Sequence, residues 1–157
     1  MSENVVFEIT DLSDLEELVD MRMKFLLDMH PTNDKTVIEK AYKENMKYLE
    51  EMIKQELYIG YLGSINGLNV CCGGLLLYKL PPLINKFNRV QGHVLNIYTI
   101  PEYRNQGIGL QLIEYIKTSA KETGINRLFL NSTVIGEGLY KKCGFKEPEE
   151  KAMILEL

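Results

Sequence analysis

Tyr103-Arg104-Asn105-Gln106-Gly107-Ile108-Gly109 sets two glycines, two residues apart, between a strand-like run (His93 to Ile100) and a helix-like run (Ile108 to Lys121). The first turn of a helix carries unpaired backbone N–H groups and a partial positive charge, and glycine lets an anion approach them closely. The spacing therefore suits a phosphate cradle, although a Gly-x-Gly turn is equally at home as a tight strand–helix connection. One other group nearby could move a proton. His93, at the start of the strand-like run, has an intrinsic pKa in the range a general base needs, although a surface or satisfied core histidine is the more ordinary reading.

The elements that must position these groups can be read from periodicity. Val5 to Ile9 forms a first strand. Ser13-Asp14-Leu15-Glu16 has the pattern of a capping box, followed by Leu15, Val19, Met23 and Leu26 at helical spacing. His30-Pro31-Thr32-Asn33 ends that helix, with His30 in a capping role. A second helix shows Val37, Ala41, Tyr48 and Met52 on one face. Leu57 to Ile65 and Leu68 to Leu77 are strands joined by Asn66-Gly67, the preferred pair for a tight hairpin. Leu80-Pro81-Pro82-Leu83 ends the second of them, because proline cannot donate to a ladder. After the glycine pair, Ile108, Leu112, Ile116 and Ala120 repeat every four residues, and Gly124 fits the C-terminal cap. Arg127 to Asn131 reads as a strand, Gly136 to Cys143 as a short helix and Ala152 to Leu157 as a closing strand. The order is α+β, with a mixed, mostly antiparallel sheet and a central βαβ crossover.

The 157 residues suit one domain spanning 1–157, and the 45% hydrophobic and 25% charged composition is that of a globular chain. A formal net charge of −4 argues against broad nucleic-acid binding and leaves any phosphate to local geometry. No apolar stretch approaches the roughly 20 residues that span a bilayer, and no signal peptide is visible. Three cysteines, with Cys71 and Cys72 adjacent on a strand and pointing to opposite faces, form neither a disulfide framework nor a metal site. The expectation is a soluble, reduced, cytoplasmic protein without a metal, a membrane partner or a nucleic-acid partner.

The run from Tyr98 to Gly109, with Arg104, Gly107 and Gly109 at its core, resembles the acetyl-CoA signature of the GNAT superfamily of N-acetyltransferases. Gly136-Glu137-Gly138-Leu139-Tyr140-Lys141-Lys142-Cys143-Gly144-Phe145 is similar to the family's second motif, a short helix with Tyr followed by Gly-Phe. The order of elements matches the family fold along the whole chain. The resemblance implies a sheet that splays at the acetyl-CoA site. It implies pyrophosphate on the backbone of Asn105, Gln106, Gly107, Ile108, Gly109 and Leu110, and the pantetheine arm along Ile97, Tyr98 and Thr99. Asn131 and Thr133 are further cofactor contacts; Thr133 stands where the family often has Asn, and Thr99 where it usually has Val. A homodimer through the C-terminal strands is also in keeping with the family.

By the same resemblance Tyr140 is the general acid that protonates the departing CoA thiolate. Donation from tyrosine (pKa about 10) to a thiolate (about 8.5) is uphill by about 2 kcal/mol if neither is shifted. Tyr140 therefore assists rather than dominates. A substrate ammonium must lose a proton before it attacks, and no carboxylate occurs between Arg89 and Thr99 to take it. His93 and a water chain remain as bases, with Asn96 and Tyr98 placed on the strand's other face to shape the acceptor pocket. Cys143 has no adjacent His and reads as packing. The implied reaction is direct acetyl transfer to a primary amine of a small molecule or a peptide N-terminus. The alternative is a non-catalytic acyl-CoA-binding sensor or interaction module. A nucleotide-phosphate hydrolase is excluded by the lack of Gly-Lys-Ser/Thr.

Overall fold

The chain runs through its strands in spatial order. The computed structural model describes residues 4–157. Its strands are β1 (Val6–Ile9), β2 (Tyr58–Ile65), β3 (Leu68–Lys79), β4 (Val90–Thr99) and β5 (Arg127–Phe129). They form one sheet in the order β1-β2-β3-β4-β5. The first three pairings are antiparallel, and β4 runs parallel to β5. The helices are α1 (Leu15–Met29), α2 (Lys35–Lys54), α3 (Ile108–Glu122) and α4 (Glu137–Lys142). The mixed sheet flanked by helices is the expected α+β arrangement.

Two cores lie on opposite faces of the sheet. Helices α1 and α2 cover one, where Leu18, Val19, Met21 and Leu49 meet Tyr58, Leu62 and Cys72. Helix α3 covers the other, where Leu112, Ile113 and Ile116 meet Tyr61, Val70, Cys71 and Leu75. Cys71 and Cys72 thus divide between the two faces, as strand alternation requires. Burial pushes each of these thiols up to about 12.

Local signals act where they were expected. Asn66 and Gly67 take φ of 51° and 80°, the left-handed pair of a tight hairpin, and Gly124 takes 77° just beyond α3. β3 stops at Lys79, before the prolines. Other expectations are corrected. The capping box belongs to Asp11 and Asp14, not Ser13 and Glu16; Asp11 accepts from the Ser13 backbone N–H, and Asp14 from the Asp11 N–H, across a 3₁₀ turn that precedes α1. Val37 and Tyr48 are exposed, and Leu49 anchors α2 instead. β5 ends at Phe129 rather than Asn131. Residues 152–157 form no strand: Met153, Ile154, Leu155 and Leu157 are exposed. Pro148 and the acidic Glu147, Glu149 and Glu150 break the run just before this tail, and the short β5 offers it little ladder.

Close packing of Tyr58 under β3 constrains the core beneath α1 and α2. A Cβ at Gly74 would lie 1.9 Å from the Tyr58 hydroxyl and 2.5 Å from its ring. Gly74→Ala should therefore destabilise the fold by about 1–3 kcal/mol through overpacking, read as a lower urea midpoint with unchanged m-value.

Candidate active site

Two departures from regular pairing shape the centre of the sheet. The first is a bulge. Tyr98 pairs with Cys72 and Leu95 with Gly74, so β4 has one residue more than β3 between these points. Asn96 absorbs the extra residue with a φ of 58°, which asparagine tolerates better than the β-branched residues around it. The second is a splay. β4 pairs with β5 only at Gln91, Gly92 and His93. Beyond His93 the β5 side of β4 runs on without a strand partner among the described residues. A strand edge that lacks its neighbour is a row of unused backbone donors and acceptors.

The edge leads directly into the glycine turn. After Thr99 a 3₁₀ turn (Pro101–Tyr103) brings the chain to Asn105 and Gly107, with φ of 61° and 80°. Alternating left-handed residues of this kind turn successive N–H groups toward one point. Gly107 caps α3, and the first bond of that helix is Gln111 N–H to the Gly107 carbonyl, at 3.1 Å. The N–H groups of Ile108, Gly109 and Leu110 consequently remain for an anion. A Cβ at Gly109 would sit 3.3 Å from Leu139, so α4 packs close to this helix start.

Arg104 ties the turn to α1. Its Nη2 lies 2.6 Å from Asp28 Oδ2, and its Nε donates to the Thr99 carbonyl at 2.8 Å. The guanidinium also covers the Tyr98 ring, 5.3 Å from its centroid. The Tyr98 hydroxyl donates to the same Asp28 oxygen at 3.1 Å. Arg104, and secondarily Tyr98, hold the Asp28 carboxyl below its ordinary pKa. Nothing in the local pattern around Asp28 marked it, because its partners lie 70 and 76 positions away.

The bulge builds a second polar cluster on the α1/α2 face. Asn96 is 9% exposed; its Nδ2 donates to the Tyr58 hydroxyl at 3.0 Å, and its Oδ1 accepts from Arg22 Nη1. Arg22 Nε donates to Asn45 Oδ1 at 2.5 Å. Burial raises the Tyr58 hydroxyl pKa well above its usual value. Arg22, Asn45 and Tyr58 were not anticipated from the sequence. The one available signal was an asparagine set between the apolar Leu95 and Ile97.

The bulge also corrects the expected facing of β4. His93 pairs with Leu76 and Tyr98 with Cys72, and both partners belong to the α1/α2 core. His93, Asn96 and Tyr98 therefore share one face, where simple alternation placed His93 opposite the other two. His93 stacks on Phe129, with ring centroids 4.6 Å apart and planes 14° apart, and Tyr78 lies 6.5 Å away. Burial lowers its pKa below 6.5. Ile97 packs on the α3 face.

Tyr140 meets Phe145 edge-on at 5.9 Å, and burial raises its pKa. It lines a cavity of about 780 Å³ on the outer side of β5, together with Lys117, Asn131, Cys143 and Phe145. Thr133 Oγ1 accepts from the Gly136 N–H at 3.1 Å, which closes the turn into α4. Cys143 is buried, its thiol pKa raised chiefly by that burial, and its carbonyl accepts from Lys117 at 2.8 Å. Lys141 pairs with Glu137.

A mixed sheet whose strand β4 leaves β5 and runs through a left-handed turn into a helix N-terminus defines the fold class of this chain. The comparisons agree with that class. A family model described as the acetyltransferase (GNAT) domain matches residues 66–147, more than half of the chain. The chain belongs to the GNAT acetyltransferase family. An uncharacterized N-acetyltransferase of Chlorobaculum tepidum is 25% identical over 109 residues, covering 69% of this chain and 61% of that relative's length. A predicted acetyltransferase of Clostridium acetobutylicum, solved with acetyl-CoA, superposes with a TM-score of 0.79 at 22% identity, covering 97% of this chain and 96% of that one. Glucosamine-6-phosphate N-acetyltransferase from Arabidopsis thaliana superposes with a TM-score of 0.70 at 18% identity, covering 96% and 98%. The likeness to the solved structures is one of fold.

The His93 environment gives a pH prediction. Its pKa is lowered on folding, so the unfolded chain binds more protons over the window from the lowered value up to about 6.5. The neutral ring's contribution is complete above that window and is lost as pH falls through it. His93→Phe, which keeps the stack on Phe129, should flatten the rise of unfolding free energy between about pH 5 and 7. Denaturant titrations across that range check it; an unchanged slope would mean that His93 titrates freely in the folded protein.

Proposed function

We propose that this protein transfers the acetyl group of acetyl-CoA to a primary amine of a small molecule or peptide N-terminus, by direct attack in a ternary complex. The observation that carries the reading is the continuous path from the unpaired edge of β4 to the N-terminus of α3. Backbone groups at Ile97, Tyr98 and Thr99 suit the amides of a pantetheine arm, adding it to the sheet as a strand would be added. The Thr99 carbonyl already accepts from Arg104, so that end of the edge is fixed in orientation. The N–H groups from Asn105 to Leu110 suit the pyrophosphate. The net charge of −4 leaves recognition of that polyanion to this local geometry.

In the reaction, a C–N bond forms between the amine nitrogen and the acetyl carbonyl carbon, and the thioester C–S bond breaks. The leaving sulfur takes a proton, and the nitrogen loses one. Tyr140 is our candidate for the first transfer. Its raised pKa keeps it protonated at neutral pH, and it remains a weak acid that assists departure. His93 is the candidate for the second. Its lowered pKa leaves it neutral near pH 7, able to accept a proton directly or through water. Asn131 and Thr133 flank the approach to α4 and complete the proposed cofactor side. A non-catalytic acyl-CoA sensor would use the same cradle and would have no need of Tyr140.

Tyr140→Phe should lower kcat by about 10²- to 10⁴-fold while leaving the dissociation constant for acetyl-CoA nearly unchanged. Thiol release and calorimetric titration measure the two. Unchanged turnover would remove Tyr140 from the mechanism.

A further inference from the structure

We propose that Arg22 is a recognition group for an anionic substituent, a carboxylate or phosphate, on the acceptor amine; this rests on the acetyltransferase reading above. Arg22 projects from α1 toward the bulge in β4 and is half-buried. Its two hydrogen-bond partners are both neutral amide oxygens, Asn45 Oδ1 on α2 and Asn96 Oδ1 at the bulge. Each amide is fixed by its own nitrogen: Asn45 Nδ2 donates to the Ala41 carbonyl at 2.7 Å, and Asn96 Nδ2 to the Tyr58 hydroxyl at 3.0 Å. The guanidinium is thus held from two sides in one orientation.

No carboxylate among the described residues forms an ion pair with it. Among the described residues the ion pairs are Lys54–Glu50, Arg104–Asp28, Lys117–Glu114 and Lys141–Glu137. The positions one turn away on α1 are Leu18, Val19, Phe25 and Leu26. Those one turn from Asn45 on α2 are Ala41, Tyr42, Tyr48 and Leu49. Asp28, on the same helix, is already taken by Arg104 and Tyr98. A guanidinium has five N–H donors, and two are used here. The remaining donors keep the planar fork that pairs with carboxylate or phosphate.

Position completes the argument. Asn96 directly precedes Ile97, where the open edge begins to serve the pantetheine arm, and it turns to the α1/α2 face, away from α3. An anion on Arg22 would therefore place the rest of a small acceptor beside the bulge. The same charge disfavours polycationic acceptors such as polyamines and aminoglycosides. A purely structural arginine, stapling α1 and α2 to the bulge, would show no such discrimination.

The test uses matched acceptor pairs: alanine with alaninamide, glycylglycine with its amide, and phosphoethanolamine with ethanolamine. Wild-type kcat/KM should favour the anionic member of at least one pair by about tenfold or more. A carboxylate response or a phosphate response identifies the source. Arg22→Gln should collapse that ratio toward unity, Arg22→Lys should retain part of it, and the KM for acetyl-CoA should hold in both. Equal loss on both members of every pair would make Arg22 a staple and overturn the proposal, as would preferred turnover of polyamines. Failure of every amine to release thiol would count against the acetyltransferase reading instead. Calorimetric titration of the same acids and amides into wild-type and Arg22→Gln protein, with CoA present, then decides the anion site: Arg22-dependent binding of the acids supports it, and equal binding by both proteins overturns it.

Discussion

The structure depends on β4 keeping two pairing patterns at once. On one side it stays in the ladder with β3 along its length, slipping by one residue at Asn96. On the other it leaves β5 after His93. Backbone groups inside a protein are expensive to leave unmatched. An open stretch of edge on a strand in the middle of a sheet is therefore where our proposal lays the extended co-substrate. The bulge sets which side chains look toward the α1/α2 face, and the splay sets how far the open edge extends.

The two faces of the sheet divide the work. The α3 face supplies a largely apolar core and the helix start to which we assign the pyrophosphate. The α1/α2 face carries the polar groups, and each is reached by a long-range contact that fixes its orientation. Asp28 gathers Arg104 and Tyr98, which locks the turn before Gly107 onto α1. Asn45 and Asn96 gather Arg22. The first cluster is charge-balanced and exposed, so its value lies in positioning more than in stability. The second is positively charged and has no counter-ion among the described residues, which makes it the more informative of the two about what the protein binds.

Much of this was legible where the chemistry is local. Asn66-Gly67, Gly107, Gly124 and the prolines after Lys79 act within a few residues, and each fell where its backbone preference put it. The left-handed turn that opens α3 at Gly107 was legible for the same reason. The facing of His93 was not, because strict alternation assumes an unbroken ladder and Asn96 breaks it. Arg22 and Asp28 were not, because their meaning comes from partners brought close by the fold rather than by spacing. The C-terminal tail misled in the opposite way: an apolar, strand-like composition predicted pairing, but a strand exists only where another offers its edge in register.

The central claim is that acetyl-CoA completes the open edge of β4 and sits on the start of α3. Amide hydrogen exchange with and without acetyl-CoA tests it most directly. The account predicts slowed exchange at Ile97, Tyr98 and Thr99 and from Asn105 to Leu110 on addition of the co-substrate. Protection confined to the cavity on the outer side of β5, or absent from the β4 edge at saturating acetyl-CoA, would contradict it.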